Sequence, residues 1–206
     1  MRGDEAAPPV VHIVDDDAAV RTALDSLFRS VGLATHLFGS AQEFLQSGHA
    51  QAAGCLVLDI RLPGLSGLDF QDRLATAGVR MPVILMTGHG DIPMTVRGMK
   101  AGAIDFLTKP FRDQDMLDAV TTALERDTAL RTEQAGLDDV KARYLLLSAR
   151  EKEIMSHVAT GLMNKQIAYE LGLSEITVKI HRANAMRKME AKSVVEFVKM
   201  ADMLKA

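Results

Sequence analysis

The sequence lacks the features that mark exported and membrane-spanning proteins. Its 206 residues include a single cysteine, Cys55, which excludes an internal disulfide. The N-terminus has no basic head followed by an apolar run and a small-residue cleavage site, so no secretory signal is predicted. No window approaches the roughly 18 consecutive apolar residues that a membrane span needs. We therefore expect a soluble cytoplasmic protein without a membrane partner.

The composition is that of a folded protein with an uneven charge distribution. Apolar residues make up 48% and charged residues 25% of the chain, so neither disorder nor a fibrous repeat dominates. At roughly 150 residues per domain, the length predicts one or two domains. Residues 1–142 contain 20 acidic and 13 basic side chains, whereas residues 143–206 contain 7 and 11. The basic C-terminal part is therefore the candidate for contact with a polyanion, with chance scatter of surface charge as the alternative.

Short apolar runs alternate with amphipathic stretches between Val10 and Phe111, a pattern typical of βα units. Five such units predict a doubly wound α/β domain with a five-stranded parallel sheet, because parallel strands need crossovers and bury both faces. In such sheets chemistry is located beyond the carboxyl ends of the strands. The predicted strands are residues 10–14, 34–38, 55–58, 83–86 and 104–107, and the predicted helices are residues 18–31, 41–48, 67–76, 93–101 and 113–126.

The chain from residue 113 to about 147 has no strand pattern and is rich in helix-forming residues, so we expect a helical linker. Leu130, Leu137 and Tyr144 lie seven residues apart, which is compatible with a two-heptad coiled coil, although Gly136 interrupts the pattern. A helix packed on its own domain is the alternative, and we favour it.

The last segment carries four helix-start signals and predicts a small all-α domain of four helices. Ser148 and Ser193 each precede a glutamate in capping-box position, and Asn164 and Ser174 begin the two helices between them. Short helices joined by tight turns are typical of a helix-turn-helix. We predict a first domain over residues 1–125, a helical linker over 126–143 and a second domain over 144–206.

Carboxylates follow two of the predicted strands. Asp15 and Asp16 come directly after the first strand, Asp59 ends the third, and Asp17 is assigned to the cap of the first helix. Carboxyl ends of parallel strands share one edge, and clustered carboxylates are stable chiefly when a hard divalent cation binds. The sequence therefore predicts a Mg²⁺ site at this edge.

Two further strand ends supply a hydroxyl and an ammonium. The fourth predicted strand leads to Thr87 and the fifth to Lys109 before Pro110. Together with an aspartate nucleophile and Mg²⁺, these groups would stabilise the charge on a transferring phosphoryl group. Each residue alone is an ordinary turn or cap residue. Their order at consecutive strand ends favours an aspartyl-phosphate site.

Segments 14–17, 57–67, 86–91 and 101–111 resemble the receiver domain of two-component response regulators, over about the first 125 residues. The resemblance implies a flavodoxin-like fold in which Asp59 accepts a phosphoryl group from a sensor histidine kinase. Asp15, Asp16, Asp59 and the backbone carbonyl of Arg61 would hold Mg²⁺.

The same resemblance implies a switch around the phosphate. Thr87 would follow the phosphoryl oxygen, Phe106 would turn inward as the switch aromatic, and Lys109 would pair with the phosphate beside a cis bond to Pro110. About two negative charges appear at one point on phosphorylation, so the loop after the fourth strand would be drawn in.

Segments 147–154, 161–168 and 173–189 look like the LuxR-type DNA-binding domain, and with the receiver they resemble the NarL/FixJ family. This implies a transcription regulator, not an enzyme, that dimerises on phosphorylation and binds promoter DNA, with RNA polymerase as a further partner. We assign Lys179 to base contact and Ile180 to the core or a thymine methyl. We assign Lys165, Thr177, His181 and Arg182 mainly to backbone contact, and Ser174 and Arg187 complete the predicted DNA-binding set. A solvated charged face is the alternative for the helix.

Two other functions fit parts of the sequence. An aspartate-nucleophile phosphatase also uses Mg²⁺, aspartate, threonine and lysine, but it would carry a second acid where Arg61 stands. A phosphorelay shuttle or partner-binding adaptor would have a helical tail that does not contact DNA. The basic side chains of Lys179, Arg182 and Arg187 argue against an adaptor, and a salt-dependent DNA affinity distinguishes the two.

Overall fold

The computed structural model describes residues 8–88 and 92–205, so residues 89–91 of the 86–91 segment lie outside the described chain. The chain divides after Leu130 into two compact units, Met1–Leu130 and Arg131–Ala206. In the described part of the chain, no helix is long and apolar enough to cross a membrane. The first unit is the predicted α/β domain and the second is helical.

Five parallel strands form the sheet of the first unit in the order β2-β1-β3-β4-β5. The central strand, β3, is buried along its whole length because helices cover both faces of the sheet. This burial explains why the strand is a continuous apolar run in the sequence. The fold class is confirmed, and every predicted end except that of the last helix lies within two residues of the observed one. The strands are β1 Val10–Val14, β2 Ala34–Phe38, β3 Gly54–Asp59, β4 Val83–Thr87 and β5 Asp105–Thr108, and the helices are α1 Ala18–Ser30, α2 Ala41–Gln46, α3 Gly67–Thr76, α4 Ile92–Lys100 and α5 Asp113–Leu145, with a 3₁₀ turn at His49–Gln51.

Two apolar clusters cover the two faces of the sheet. One contains Phe44 and Phe70 and packs α2, α3 and α4 on the sheet, and the other contains Phe28 and Met116 beneath α1 and α5. At roughly 25 cal/mol per Å² of buried apolar surface, these faces supply most of the stability of the unit. The strands approach each other closely at the start of β3, where a Cβ on Gly54 would lie 1.9 Å from the Val10 carbonyl oxygen.

Helix α5 is one continuous helix of 33 residues that contains the whole segment 126–143 predicted as a linker. Gly136 lies inside it without breaking it, since a glycine costs a helix only about 1 kcal/mol. The buried carboxylate of Asp127 accepts a 2.9 Å hydrogen bond from the Gly54 N–H and so fastens this part of α5 to β3. Burial, aided by Asp127, raises the pKa of the Cys55 thiol to about 12.

The second unit contains the short helices that the capping signals predict. Ser148 and Glu151 form a complete capping box, and Ser174 and Ser193 accept hydrogen bonds from backbone N–H groups three residues on. The helix capped by Ser193 differs from a complete capping box in one hydrogen bond. The Glu196 carboxylate accepts from the N–H of Lys192 and not from that of Ser193. The helices after α5 are α6 Ala149–Ala159, α7 Asn164–Leu171, α8 Glu175–Lys188 and α9 Val194–Met203.

An ion pair with a buried carboxylate connects α6 with the end of the helix α8. The Glu151 side chain is 5% exposed and accepts hydrogen bonds from the Ser148 N–H and the Lys188 ammonium, both at 2.7 Å. Burial opposes the charged carboxylate, but the hydrogen bonds from Lys188 and Ser148 outweigh it and lower the pKa of Glu151. The pair therefore stabilises the unit while Glu151 is ionised.

We expect Glu151→Gln to destabilise the second unit by about 1–3 kcal/mol at pH 7, because Lys188 loses its anionic partner. In the native chain this contribution is complete above the unfolded-state pKa of about 4.3 and is lost as the pH falls through the lower folded-state pKa. Both tyrosines, Tyr144 and Tyr169, lie in the second unit and the chain has no tryptophan, so tyrosine fluorescence during urea unfolding reports this unit.

Glu153→Gln is the matched control, since Glu153 pairs with Arg150 on the exposed surface of the same helix. It should change stability by less than about 0.5 kcal/mol. Equal effects of the two substitutions would contradict a structural role for the buried pair.

Candidate functional site

The ends of β1, β3 and β5 bring two carboxylates and one ammonium into direct contact. The Lys109 Nζ lies 2.6 Å from Asp15 Oδ2 and 2.9 Å from Asp59 Oδ1. The side chains of Asp15 and Asp59 are 1% and 6% exposed, whereas that of Lys109 is 23% exposed. The ammonium therefore lies at the mouth of the site, with the carboxylates beneath it.

Backbone groups fix the second oxygen of each carboxylate. The Asp17 N–H donates to Asp15 Oδ1 at 2.9 Å, and the Arg61 N–H donates to Asp59 Oδ2 at 2.8 Å. Gly67 closes the loop after β3, because its N–H donates to the Ile60 carbonyl and a Cβ there would lie 2.3 Å from the Asp59 carbonyl oxygen. The orientation of both carboxylates is thus set by the loops that follow their strands.

Burial and hydrogen bonding act in opposite directions on the charges of the site. Burial alone would lower the pKa of Lys109, but its hydrogen bonds to Asp15 and Asp59 outweigh burial and raise that pKa. For Asp15, burial dominates and raises the pKa despite the hydrogen bonds from Lys109 and the Asp17 N–H. The lysine is therefore a fixed positive charge, and Asp15 gains from any further cation that reaches it.

The donor set fits Mg²⁺ in its chemistry and in its charge. Asp16 is exposed next to Asp15, so with Asp59 the edge carries three carboxylates, which outnumber the basic side chains of Lys109 and Arg21 beside them. This excess of negative charge favours a cation, and carboxylate and carbonyl oxygens are the ligands that Mg²⁺ prefers. In the side-chain positions of the described residues, no three acidic, histidine or cysteine groups already form a metal site.

The predicted switch residues lie on the two strands beside this edge. Thr87 ends β4 and is fully buried, and its carbonyl accepts a 2.7 Å hydrogen bond from the Lys109 N–H. Phe106 is half-buried on β5 opposite Leu85 and packs against the core. The peptide bond between Lys109 and Pro110 is cis. Thr87 and Lys109 are therefore held together through the backbone.

In the second unit, one face of α8 is exposed over nearly its whole length. It presents Lys179 between two exposed isoleucines, Ile176 and Ile180, which are 72% and 56% exposed. Ile180 is therefore outside the core. Lys165 on α7 and Arg187 at the end of α8 are also exposed, whereas His181 is half-buried. This face combines basic and apolar side chains, as a helix that contacts DNA bases does.

Other residues predicted for DNA contact also hold the helices in place. Arg182 is half-buried and donates a 3.0 Å hydrogen bond to Asn164 at the start of α7. Ser174 caps α8, and its hydroxyl oxygen lies 2.8 Å from that of Thr177. These bonds fix the turn between α7 and α8, so the contribution of these residues includes orienting the exposed face.

Sequence patterns did not indicate several residues that shape the two sites. Arg21 donates a 2.6 Å hydrogen bond to the Asp15 carbonyl, and no local pattern pointed to it. Gly67 lies in a recognisable segment, but its close approach to Asp59 depends on the packing of α3. The exposure of Ile176 could have been predicted, because this isoleucine lies among polar residues in the first turn of a basic helix.

Comparisons with known proteins match both units. A model described as the response regulator receiver domain matches residues 11–121, and one described as bacterial regulatory proteins, luxR family, matches residues 145–201. Nodulation protein W of Bradyrhizobium diazoefficiens is 55% identical over 195 residues, which cover 95% of this chain and 86% of that protein. Transcriptional regulatory protein FixJ of Azorhizobium caulinodans is 46% identical over 191 residues, covering 93% and 90%.

Solved structures agree with the sequence relatives. The structure of response regulator StyR is 43% identical with a TM-score of 0.84, covering 95% of this chain and 99% of that chain. Both units and their order along the chain are therefore those of a transcriptional response regulator. The chain belongs to the NarL/FixJ family of response regulators, with a receiver domain followed by a LuxR-type DNA-binding domain.

Proposed function

We propose that this response regulator is phosphorylated on Asp59 by a sensor histidine kinase in the cytoplasm, dimerises, and binds promoter DNA to regulate transcription. The observation that carries the proposal is the Lys109 ammonium between the buried carboxylates of Asp15 and Asp59. A half-buried lysine shared by two buried aspartates at the carboxyl edge of a parallel sheet is suited to neutralise a phosphoryl group at that edge.

In the proposed reaction an Asp59 oxygen attacks phosphorus, the bond from phosphorus to the kinase histidine nitrogen breaks, and an acyl phosphate forms on Asp59. The 2.8 Å hydrogen bond from the Arg61 N–H orients the carboxylate, and Lys109 then pairs with the new phosphate. Mg²⁺ held by Asp15, Asp16, Asp59 and the Arg61 carbonyl would neutralise charge on the phosphoryl oxygens.

The response to phosphorylation begins where β4 and β5 end. Thr87 would donate its hydroxyl to the phosphate, and Phe106, now half-buried, would turn inward as the loop after β4 is drawn in. The nearby α4 presents Ile92, Val96 and Met99 at helical spacing, and they are 81%, 45% and 44% exposed. We infer that this helix and the edge strand β5 form the surface on which two phosphorylated receivers pair.

The second unit would deliver the response to DNA. Lys179 and Ile180 would contact base edges, with Ser174 and Thr177 at the start of α8 beside them. Lys165, His181, Arg182 and Arg187 would contact phosphates. RNA polymerase would be the further partner at the promoter. No catalytic reaction on another substrate is proposed, because Arg61 occupies the place of the second acid that a phosphatase would use.

Phosphorylation is tested with acetyl phosphate and Mg²⁺, followed by mass spectrometry of the intact protein. The native chain should gain one phosphoryl group, and Asp59→Asn should gain none because the nucleophilic oxygen is lost. Asp69→Asn is the matched control, since Asp69 is an exposed aspartate paired with Arg97, and it should react like the native chain. Removal of Mg²⁺ with a chelator should stop the reaction. Phosphorylation of the Asp59→Asn variant would show that another residue accepts the phosphoryl group and would contradict the proposal.

Assembly is tested by light scattering of the same samples. The molar mass of the native chain should double with acetyl phosphate and Mg²⁺, whereas that of Asp59→Asn should not change. Val96→Glu, which places a charge on the exposed face of α4, should be phosphorylated but remain monomeric, because burying an unpaired charge opposes association. A native chain that is phosphorylated without a change of mass would contradict control of dimerisation by the receiver.

DNA recognition is tested on duplexes selected by the phosphorylated protein from a random-sequence pool. Lys179→Ala should weaken binding to the selected duplex by about 1–3 kcal/mol and relax its sequence preference. Lys199→Ala removes an exposed lysine of α9 and serves as the control, with little expected change. Binding that does not weaken with salt, or that is equally impaired by both substitutions, would argue against α8 as the recognition helix.

A further inference from the structure

Three of the six histidines of the chain lie together in the receiver, away from the phosphoacceptor edge. His12 is in the middle of β1, His36 is opposite it in register on β2, and His49 begins the 3₁₀ turn after α2. His12 is fully buried, and neither of its ring nitrogens has a hydrogen-bond partner. The buried Nδ1 of His36 also has no partner. Buried polar atoms without partners are rare in folded proteins and suggest that something else supplies the missing interaction.

The spacing of the three rings is that of imidazoles around one metal ion. The ring centroids are 5.4 Å apart for His12 and His36, 5.5 Å for His12 and His49, and 4.4 Å for His36 and His49. A point equidistant from these centroids lies about 3.0 Å from each. A zinc ion at about 2.0–2.1 Å from an imidazole nitrogen lies about 3.2 Å from the ring centre, so the two distances agree.

We propose that His12, His36 and His49 form a binding site for a zinc-class transition metal ion in the receiver domain. Imidazole nitrogens suit zinc, copper and nickel and are poor ligands for Mg²⁺, so this site and the carboxylate site take different ions. Two of the ligands lie on adjacent strands, where the backbone holds them rigidly. The third lies on the turn that covers them, so metal binding would fasten this turn to the sheet.

The surroundings keep His12 and His36 in the neutral form that binds metal. Burial, together with the neighbouring His36 and His49, lowers the pKa of His12 to about 4, and burial also lowers the pKa of His36. Phe38 and Phe44 pack beside His12, with ring centroids 6.2 and 5.6 Å away. Neutral imidazoles in an apolar pocket bind a metal ion without first losing a proton.

Binding requires the rings to rotate so that their nitrogens point to one ion. In the described residues, the side chains as they stand do not form a metal site. A half-turn about χ2 exchanges ring nitrogens for ring carbons within the same volume. For His12 such a turn breaks no hydrogen bond, because neither nitrogen has one. Coordination then replaces the missing interactions, with water or no ligand in the fourth position.

The test is a titration of the untagged, full-length protein with Co²⁺ in the presence of excess Mg²⁺. We expect one Co²⁺ per chain, with visible absorption bands of a nitrogen-coordinated ion that Zn²⁺ abolishes by displacement. His36→Gln and His49→Gln, both at half-buried positions, should each weaken binding at least tenfold. Imidazole ¹⁵N NMR of the native chain gives a second measurement that needs no variant, and Zn²⁺ should shift the resonances of His12, His36 and His49.

Two further variants locate the ion. His157→Gln removes a histidine of the second unit that pairs with Glu170, and it should bind Co²⁺ like the native chain. Asp59→Asn should also bind normally, which excludes the carboxylate site as the source of the bands. The proposal is overturned if no Co²⁺ bands develop, if either His36→Gln or His49→Gln binds as tightly as the native chain, or if Asp59→Asn abolishes binding.

Discussion

Two buried carboxylates can share one edge of the receiver sheet because the Lys109 ammonium lies between them. In a poorly solvated site, the repulsion between Asp15 and Asp59 would otherwise favour protonation of one of them. The lysine contacts both and remains partly open to solvent, so it compensates their charge without closing the site. It also connects the ends of β1, β3 and β5. The loops after these strands are therefore under one electrostatic constraint.

The second unit separates structural charges from exposed ones. The buried Glu151 pairs with the half-buried Lys188 and fixes α6 against the end of α8, and Arg182 connects α7 and α8 through Asn164. With these charges engaged inside the unit, Lys179 and the isoleucines beside it are left on the exposed face of α8. A rigid frame of this kind allows a short helix to present side chains to a DNA groove at a defined angle.

Features that depend on neighbouring residues, or on a general rule of the fold, could be predicted from sequence, whereas individual contacts between distant residues could not. The parallel sheet, the Asp17 cap and the Ser148 capping box follow from local periodicity and capping chemistry. The convergence of Asp15, Asp59 and Lys109 followed from the rule that parallel strands end at one edge. The contact between Asp127 and Gly54 was not foreseen, because it joins residues 73 positions apart. The grouping of His36 with His12 was not foreseen either, because it depends on the pairing of β1 with β2.

The hydrogen bond between Asp127 and Gly54 also defines where the receiver ends. The receiver family model matches residues 11–121, and the predicted boundary was residue 125. A domain cut at either place would lose the acceptor of the Gly54 N–H. Strand β3 would then begin with a buried N–H group that has no hydrogen-bond acceptor. The folded receiver domain therefore extends at least one helical turn past the segment that the family model matches, into a stretch whose composition resembles a linker.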